Sequence, residues 1–212
     1  MRIGIIGAGK IGGTLARLLA AAGHDVALSN SRGPASLAAA VDEINRAAGE
    51  PRARAATVPD AASYGELVVL AVPCRTPEAL PDAESVAGKI VVDAMNPYAA
   101  DGGVLDPGGT SSSEETARRL PGARIVKAFN TIYWRHLADG GRSDLPLAER
   151  RAIPIAGDDA PAKAAVTAIV EELGFAAVDV GDLAAGRRQE PGSPIYNVEL
   201  NSAEVARALS PK

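Results

Sequence analysis

A single cysteine, Cys74, stands in 212 residues, which excludes an internal disulfide and any cysteine metal cluster within one chain. Histidine is almost as scarce: only His24 and His136 occur, and no metal-ligand spacing or Ser–His–Asp set is visible. Aromatic residues make up 3% while alanine is abundant, so the core has to be built from small aliphatic side chains. Long apolar runs are missing as well. The longest, Leu67 to Val72, is far too short to cross a bilayer, and MRIGIIGAGK enters structure without a signal-peptide pattern. These features predict a cytoplasmic protein with no membrane partner. Positive charge is not in excess either: a formal charge of −4 and a pI near 5.3 argue against general nucleic-acid binding. An anionic ligand remains open, because phosphate recognition needs only local donors.

The 47% hydrophobic and 23% charged content is ordinary for a globular chain of this length, enough for one sizeable domain or one domain with a small appendage. Short apolar runs alternate with helical patterns. Strands are predicted at 2–7, 25–30, 67–72, 89–94, 124–129, 152–157 and 176–180, mostly Val- and Ile-rich and without polar alternation. Such runs suit strands buried on both faces of a parallel sheet. Helices are predicted at 10–22, 34–48, 58–64, 77–87, 111–120 and 159–173, with a final one at 201–209. The alternation predicts an α/β fold: a doubly wound, mostly parallel Rossmann sheet over 1–157, with a small C-terminal α/β extension over 158–212. Caps support several boundaries. Gly23 follows a helix end, Asp158 or Asp159 precedes a helix entered by Pro161, and SSSEET (111–116) has capping-box spacing. DGGVLDPGGT (101–110) and LADGGRSDLP (137–146) are turn-rich and read as exposed loops.

Between the first strand and first helix lies Gly7-Ala8-Gly9-Lys10-Ile11-Gly12, a G-x-G-x-x-G in the context that a dinucleotide site requires. Gly7 allows the tight turn, Gly9 lets backbone approach a pyrophosphate, and Gly12 lets helix and strand pack closely. A tight turn without a ligand is the competing reading. About twenty positions on, where an acid would hold the ribose of NAD, the sequence reads Ser29-Asn30-Ser31-Arg32-Gly33-Pro34. No carboxylate is present. Arg32 offers a planar donor fork and Ser29 and Ser31 offer hydroxyls, which favours the 2′-phosphate of NADP. The same stretch also reads as a capped turn, with Ser31 or Asn30 starting the helix that Pro34 enters.

Three further turns fall at carboxyl ends of predicted strands, where open α/β sheets bind ligands. They carry Ala71, Val72, Pro73 and Cys74, then Met95, Asn96 and Pro97, then Lys127-Ala128-Phe129-Asn130-Thr131-Ile132-Tyr133-Trp134. These turns are expected to line the nicotinamide half of the cleft, although Pro73 and Pro97 also serve as plain strand terminators. Phe129 reads as core, and Asn130, Thr131 and Tyr133 as site candidates. His136 reads as a surface residue, and Cys74 as an inert thiol. Arg187 and Arg188 read equally as anion contacts or as a solvated turn.

GAGKIGGTLA, the Ser31-Arg32 pair, LAVP, KAFNTI, IPIAGDD and GDLAAGR together resemble the coenzyme F420-dependent NADP oxidoreductases over nearly the whole chain. They are also similar to the cytosolic reductase domain of the six-transmembrane epithelial metalloreductases. The resemblance implies NADPH in the Rossmann cleft, passing hydride to coenzyme F420, or to FMN or FAD, as a small-molecule acceptor, in a homodimer. It further implies that Gly7, Gly9 and Gly12 hold the pyrophosphate, that Ser31 and Arg32 hold the 2′-phosphate, and that Val72 and Pro73 flank the nicotinamide ribose. Asn130, Thr131 and Ile132 would form the acceptor pocket, completed by the 158–212 extension, whose tail GRRQEPGSPIYN (186–197) is expected to cover the cleft or form a dimer contact. Two other readings stand beside this one: an NADPH-dependent reductase of a small carbonyl or imine, and an NADP-binding sensor without turnover.

Overall fold

Apolar residues on both faces of the central strands set the layer order. In the first strand, β1 (Arg2–Ile6), Ile3 and Ile5 face one helical layer while Gly4 and Ile6 face the other, as period-two geometry requires. The computed structural model describes residues 1–105 and 108–210, so two positions of the 101–110 loop lie outside the described residues.

The chain continues through α1 (Lys10–Ala21), β2 (Asp25–Ser29), α2 (Ala38–Ala48), β3 (Ala53–Ala56), α3 (Val58–Tyr64) and β4 (Leu67–Leu70). Then come α4 (Ala83–Val86), β5 (Ile90–Asp93), α5 (Ser112–Arg119), β6 (Arg124–Lys127) and α6 (Trp134–Asp139). It closes with β7 (Ala152–Gly157), α7 (Ala160–Glu172), β8 (Ala176–Asp179) and α8 (Ser202–Ala208). Among the described residues the strands form one sheet of eight in the order β3-β2-β1-β4-β5-β6-β7-β8. All neighbours run parallel except β6 and β7, where Lys127 faces Ala156 across an antiparallel pair. The chain leaves β1 in one direction, reaches β3, and returns to β4 on the other side of β1. That reversal puts the topological switch point between β1 and β4.

The larger core gathers α1, α2 and α7 against Ile3, Ile5, Val26, Leu28, Leu67 and Val69; Ile6, Val68, Leu70, Val91 and Leu120 form the core under the opposite layer. Small residues let layers approach closely: a Cβ on Gly4 would lie 2.1 Å from the Ala61 carbonyl oxygen.

Four expectations need correction. β3 carries Arg54 among alanines and lacks the aliphatic run that marks the other strands, so it was not expected. The helix expected over 77–87 is a 3₁₀ turn at Pro77–Ala79 and the single turn α4. The segment at 34–48 begins as a 3₁₀ turn at Pro34–Leu37 before α2. The stretch 137–146 is not wholly an exposed loop, because it opens inside α6 and Leu137 is fully buried. The caps follow their residue types. Asp159 accepts from Ala162 N, and Ser111 and Glu114 make the reciprocal bonds of a capping box. Asp158 instead accepts from Leu183 N at 2.8 Å, tying the start of the C-terminal region to the sheet edge.

Candidate functional site

The glycine-rich turn shows three glycines with three requirements. Gly7 has φ 108°, and a Cβ there would stand 2.4 Å from the Ala71 carbonyl oxygen. At Gly12 a Cβ would stand 1.8 Å from the Gly7 carbonyl oxygen, so this glycine is what lets α1 close on the turn. Gly9 differs: nothing lies within 4 Å of where its Cβ would be. It is the N-cap of α1, no side chain caps that helix, and no acid sits in its first turn. The first-turn N–H groups and the positive end of the helix dipole therefore face open space, a ready anion site. Ala8 and Ile11 are half-buried beside it and pack on the core, and Lys10 is exposed, its Nζ 5.8 Å from the Trp134 ring centroid.

At the end of β2 the four candidates separate. Ser29 is fully buried and its hydroxyl donates to the Ile5 carbonyl oxygen at 3.1 Å, so it is spent within the sheet, contrary to expectation. Asn30 Oδ1 accepts from Arg32 N at 2.9 Å, and its Nδ2 donates to Ser36 Oγ at 3.0 Å. That amide shapes the turn. The N-cap is Gly33 at φ 85°, with no side-chain bond, so neither Ser31 nor Asn30 caps the helical start. Ser31 and Arg32 are exposed, and the Arg32 guanidinium has no hydrogen bond or ion pair among the described residues.

The strand ends across the switch point are tightly built. Ala71 N donates to the Ile6 carbonyl oxygen, carrying the β1–β4 ladder up to the half-buried Val72 and the exposed Pro73. Asp93 at the end of β5 is fully buried. Its carboxylate accepts from Met95 N at 2.9 Å, Ser113 Oγ at 2.8 Å and Thr116 Oγ1 at 3.0 Å. Asn96 Nδ2 donates to the Asn130 carbonyl oxygen at 2.9 Å, and Asn130 Nδ2 donates back to Asn96 Oδ1 at 3.0 Å. Asn130 Nδ2 also reaches the Gln189 carbonyl oxygen at 2.7 Å, and Gln189 Nε2 donates to Asn130 Oδ1 at 3.0 Å. The hydroxyl of Tyr196 accepts from Asn96 at 3.2 Å and from Tyr98 at 3.0 Å, and burial, then the Tyr98 contact, pushes its ionisation up.

Asn130, Thr131 and Ile132 keep 4–5% of their surface, so they form the floor rather than an open lining. Phe129 is core as expected, yet it holds φ 61°, a strained backbone for a bulky residue. Pro73, Cys74, Met95, Pro97, Thr116 and Arg119 line a cavity of about 410 Å³ on the α5 side. Burial there pushes the Cys74 thiol above its ordinary range. Tyr133 is exposed, with its ring at 5.7 Å from His136 in an edge contact. Arg188, considered as an anion contact, donates to the Leu209 carbonyl oxygen. His24, away from this edge, binds Glu172 at 2.8 Å.

Sequence reasoning missed Asp93, although an acid closing the apolar run IVVD was a legible signal. Gln189, Glu190 and Tyr196 fall in the 186–197 tail expected to cover the cleft or form a dimer contact, but their individual partners, far along the chain, carried no signal. Among the described residues no group of three or more His, Cys, Asp or Glu could hold a metal ion, and no helix is long and apolar enough to cross a membrane.

Residues 2–97 match the family described as NADP oxidoreductase, coenzyme F420-dependent. A hypothetical protein from Sinorhizobium meliloti is 34% identical, with a TM-score of 0.79 and 95% of each chain covered. A proposed F420-dependent NADP-reductase from Arthrobacter sp. FB24 is 33% identical at a TM-score of 0.71, over 87% of this chain and 86% of that one. Metalloreductase STEAP3 of Rattus norvegicus is 30% identical over 190 residues, 89% of this chain. The chain spans only 36% of that relative's length.

Proposed function

This chain belongs to the coenzyme F420-dependent NADP oxidoreductase family, and from that premise we propose that it passes hydride between NADPH and a deazaflavin or flavin at its strand ends. NADP-dependent oxidoreduction is the family's chemistry; the acceptor is the step proposed. One observation carries the reading: open space over Gly9 at an uncapped helix N-terminus, followed by a turn where Arg32 stands unpaired among the described residues and no acid is present. Those residues fit NADP. The first turn of α1 supplies backbone N–H donors for the pyrophosphate, and Ser31 and Arg32 supply the donors for a 2′-phosphate.

The bound nicotinamide supplies the hydride. The chain's own part is to align and to exclude water, which such a transfer needs more than it needs a general acid. Val72 and Pro73 bound one side of the strand-end cleft, the Asn96–Asn130 amide pair gives it a fixed polar floor, and Met95 and Pro97 add apolar surface.

The test is NADPH oxidation with coenzyme F420, FMN and FAD side by side, followed at the absorbance of each. Reduction of F420 or a flavin is expected, and reduction of none sinks the reading. Turnover of small carbonyls or imines instead moves the activity to that class, and tight NADPH binding with no turnover makes the chain a sensor. The resemblance also supports a homodimer, for which light scattering should give twice the 21.6 kDa of the chain.

A further inference from the structure

Lys127, on β6, has a fully buried side chain that hydride transfer does not require. Its Nζ donates to Ser112 Oγ at 2.8 Å, to Ser113 Oγ at 3.1 Å and to the Met95 carbonyl oxygen at 3.4 Å, and lies 3.3 Å from Glu190 Oε1. These partners come from three separate segments: the turn after β5, the first turn of α5, and the chain after the 3₁₀ turn at Ala184–Gln189. Both serines are relayed onward. Ser112 Oγ donates to Glu190 Oε1 at 2.6 Å, and Ser113 Oγ donates to Asp93 Oδ2 at 2.8 Å. Gly186 permits the closure, because a Cβ there would meet Lys127 Cδ at 3.0 Å.

A buried amino group between two buried carboxylates is costly to desolvate, and apolar residues of similar volume hold a helix on a sheet at least as well. Stability alone does not account for it. The neighbours of the cluster do: Met95 precedes Asn96, Lys127 lies three residues before Asn130, and Glu190 follows Gln189, which donates to both Lys127 O and Asn130 Oδ1. Every residue of the amide floor is one to three positions from a Lys127 partner or from Lys127 itself.

We propose that Lys127 is a positioning residue: through Met95, Ser112, Ser113 and Glu190 it locks the turn after β5, α5 and the 189–197 segment into one body, and so fixes where Asn96 and Asn130 stand in the cleft. The kinetic consequence rests on the hydride-transfer reading above; the lock itself does not.

Lys127→Met removes the amino group, and Glu190→Gln, which keeps shape while removing charge, answers if the first variant does not fold. Amide hydrogen exchange in 93–97 and 189–197 should rise together by roughly tenfold, with residues 2–56 at wild-type rates. NADPH affinity should stay within about twofold, kcat with the acceptor should fall roughly tenfold, and the isotope effect with 4-deuterated NADPH should rise as transfer becomes limiting. Unchanged exchange in both segments, loosening spread equally over 2–56, or wild-type kcat with loosened segments each overturns the proposal. If wild-type protein reduces none of F420, FMN and FAD, the function reading fails alone and the exchange rates decide the lock.

Discussion

Gly9 and Gly12 divide the proposed binding role from folding within one turn. The Cβ direction at Gly9 is open, so Gly9→Ala is expected to leave the urea midpoint unchanged and to weaken NADPH by roughly tenfold, by crowding the anion site. Gly12→Ala should do the reverse, because the added methyl meets the Gly7 carbonyl; loss of folded protein at moderate urea is the measurement. Arg32→Ala should raise the KM for NADPH more than about tenfold and leave NADH nearly unaffected, since a charge-assisted contact is worth about 1.5–3 kcal/mol. Equal losses for both nucleotides would count against the 2′-phosphate assignment. Cys74 answers to pH. Burial disfavours its thiolate, so alkylation by iodoacetamide should stay slow at neutral pH and accelerate only above the range of a free thiol. The motif glycines and the Arg32 turn were legible in the sequence because local backbone geometry dictates them. The burial of Ser29 was not, because its hydroxyl partner, Ile5 O, comes from the neighbouring strand.

Elements were legible where one residue pattern served one local purpose. Ser111 and Asp159 cap the helices their spacing suggested, because a cap closes within three residues, and Asn201 caps α8 in the same way. Ser111 does more than cap: its Oγ accepts from Glu114 N at 3.1 Å and donates to the Leu183 carbonyl oxygen at 2.8 Å, fully buried. Ser111→Ala should therefore cost about 1–2 kcal/mol in urea unfolding, with Asn201→Ala at the lower end of cap losses. β3 was illegible for the opposite reason. ARAA has no strand pattern of its own and forms because β2 offers an edge, with Val26 opposite Ala53 through Ser29 opposite Ala56.

Across the whole molecule, the C-terminal region closes on residues 66 to 100 positions earlier. The Tyr196 hydroxyl meets Asn96 and Tyr98, and Asn197 N donates to the Thr131 carbonyl oxygen at 2.9 Å. Tyr196→Phe should lower acceptor turnover while sparing NADPH affinity, measured by steady-state kinetics beside equilibrium titration. Its pH signature has a definite sign. The folded hydroxyl keeps its proton above the ordinary tyrosine value of about 10, so from that pH upward the unfolded chain binds fewer protons and stability falls. Urea midpoints between pH 8 and 11 should lose part of that alkaline slope in the phenylalanine variant.

Fold class, the nucleotide turn and the preference for NADP follow from nearest-neighbour facts: apolar runs, glycine spacing and a missing acid lie within reach of one another along the chain. The proposed acceptor half does not. Asp93, Lys127, Gln189, Glu190 and Tyr196 join one hydrogen-bonded network around the amide floor only when β5, β6 and the returning chain stand side by side. Polar groups need partners once they lose water, and here those partners come from distant segments that folding brings together.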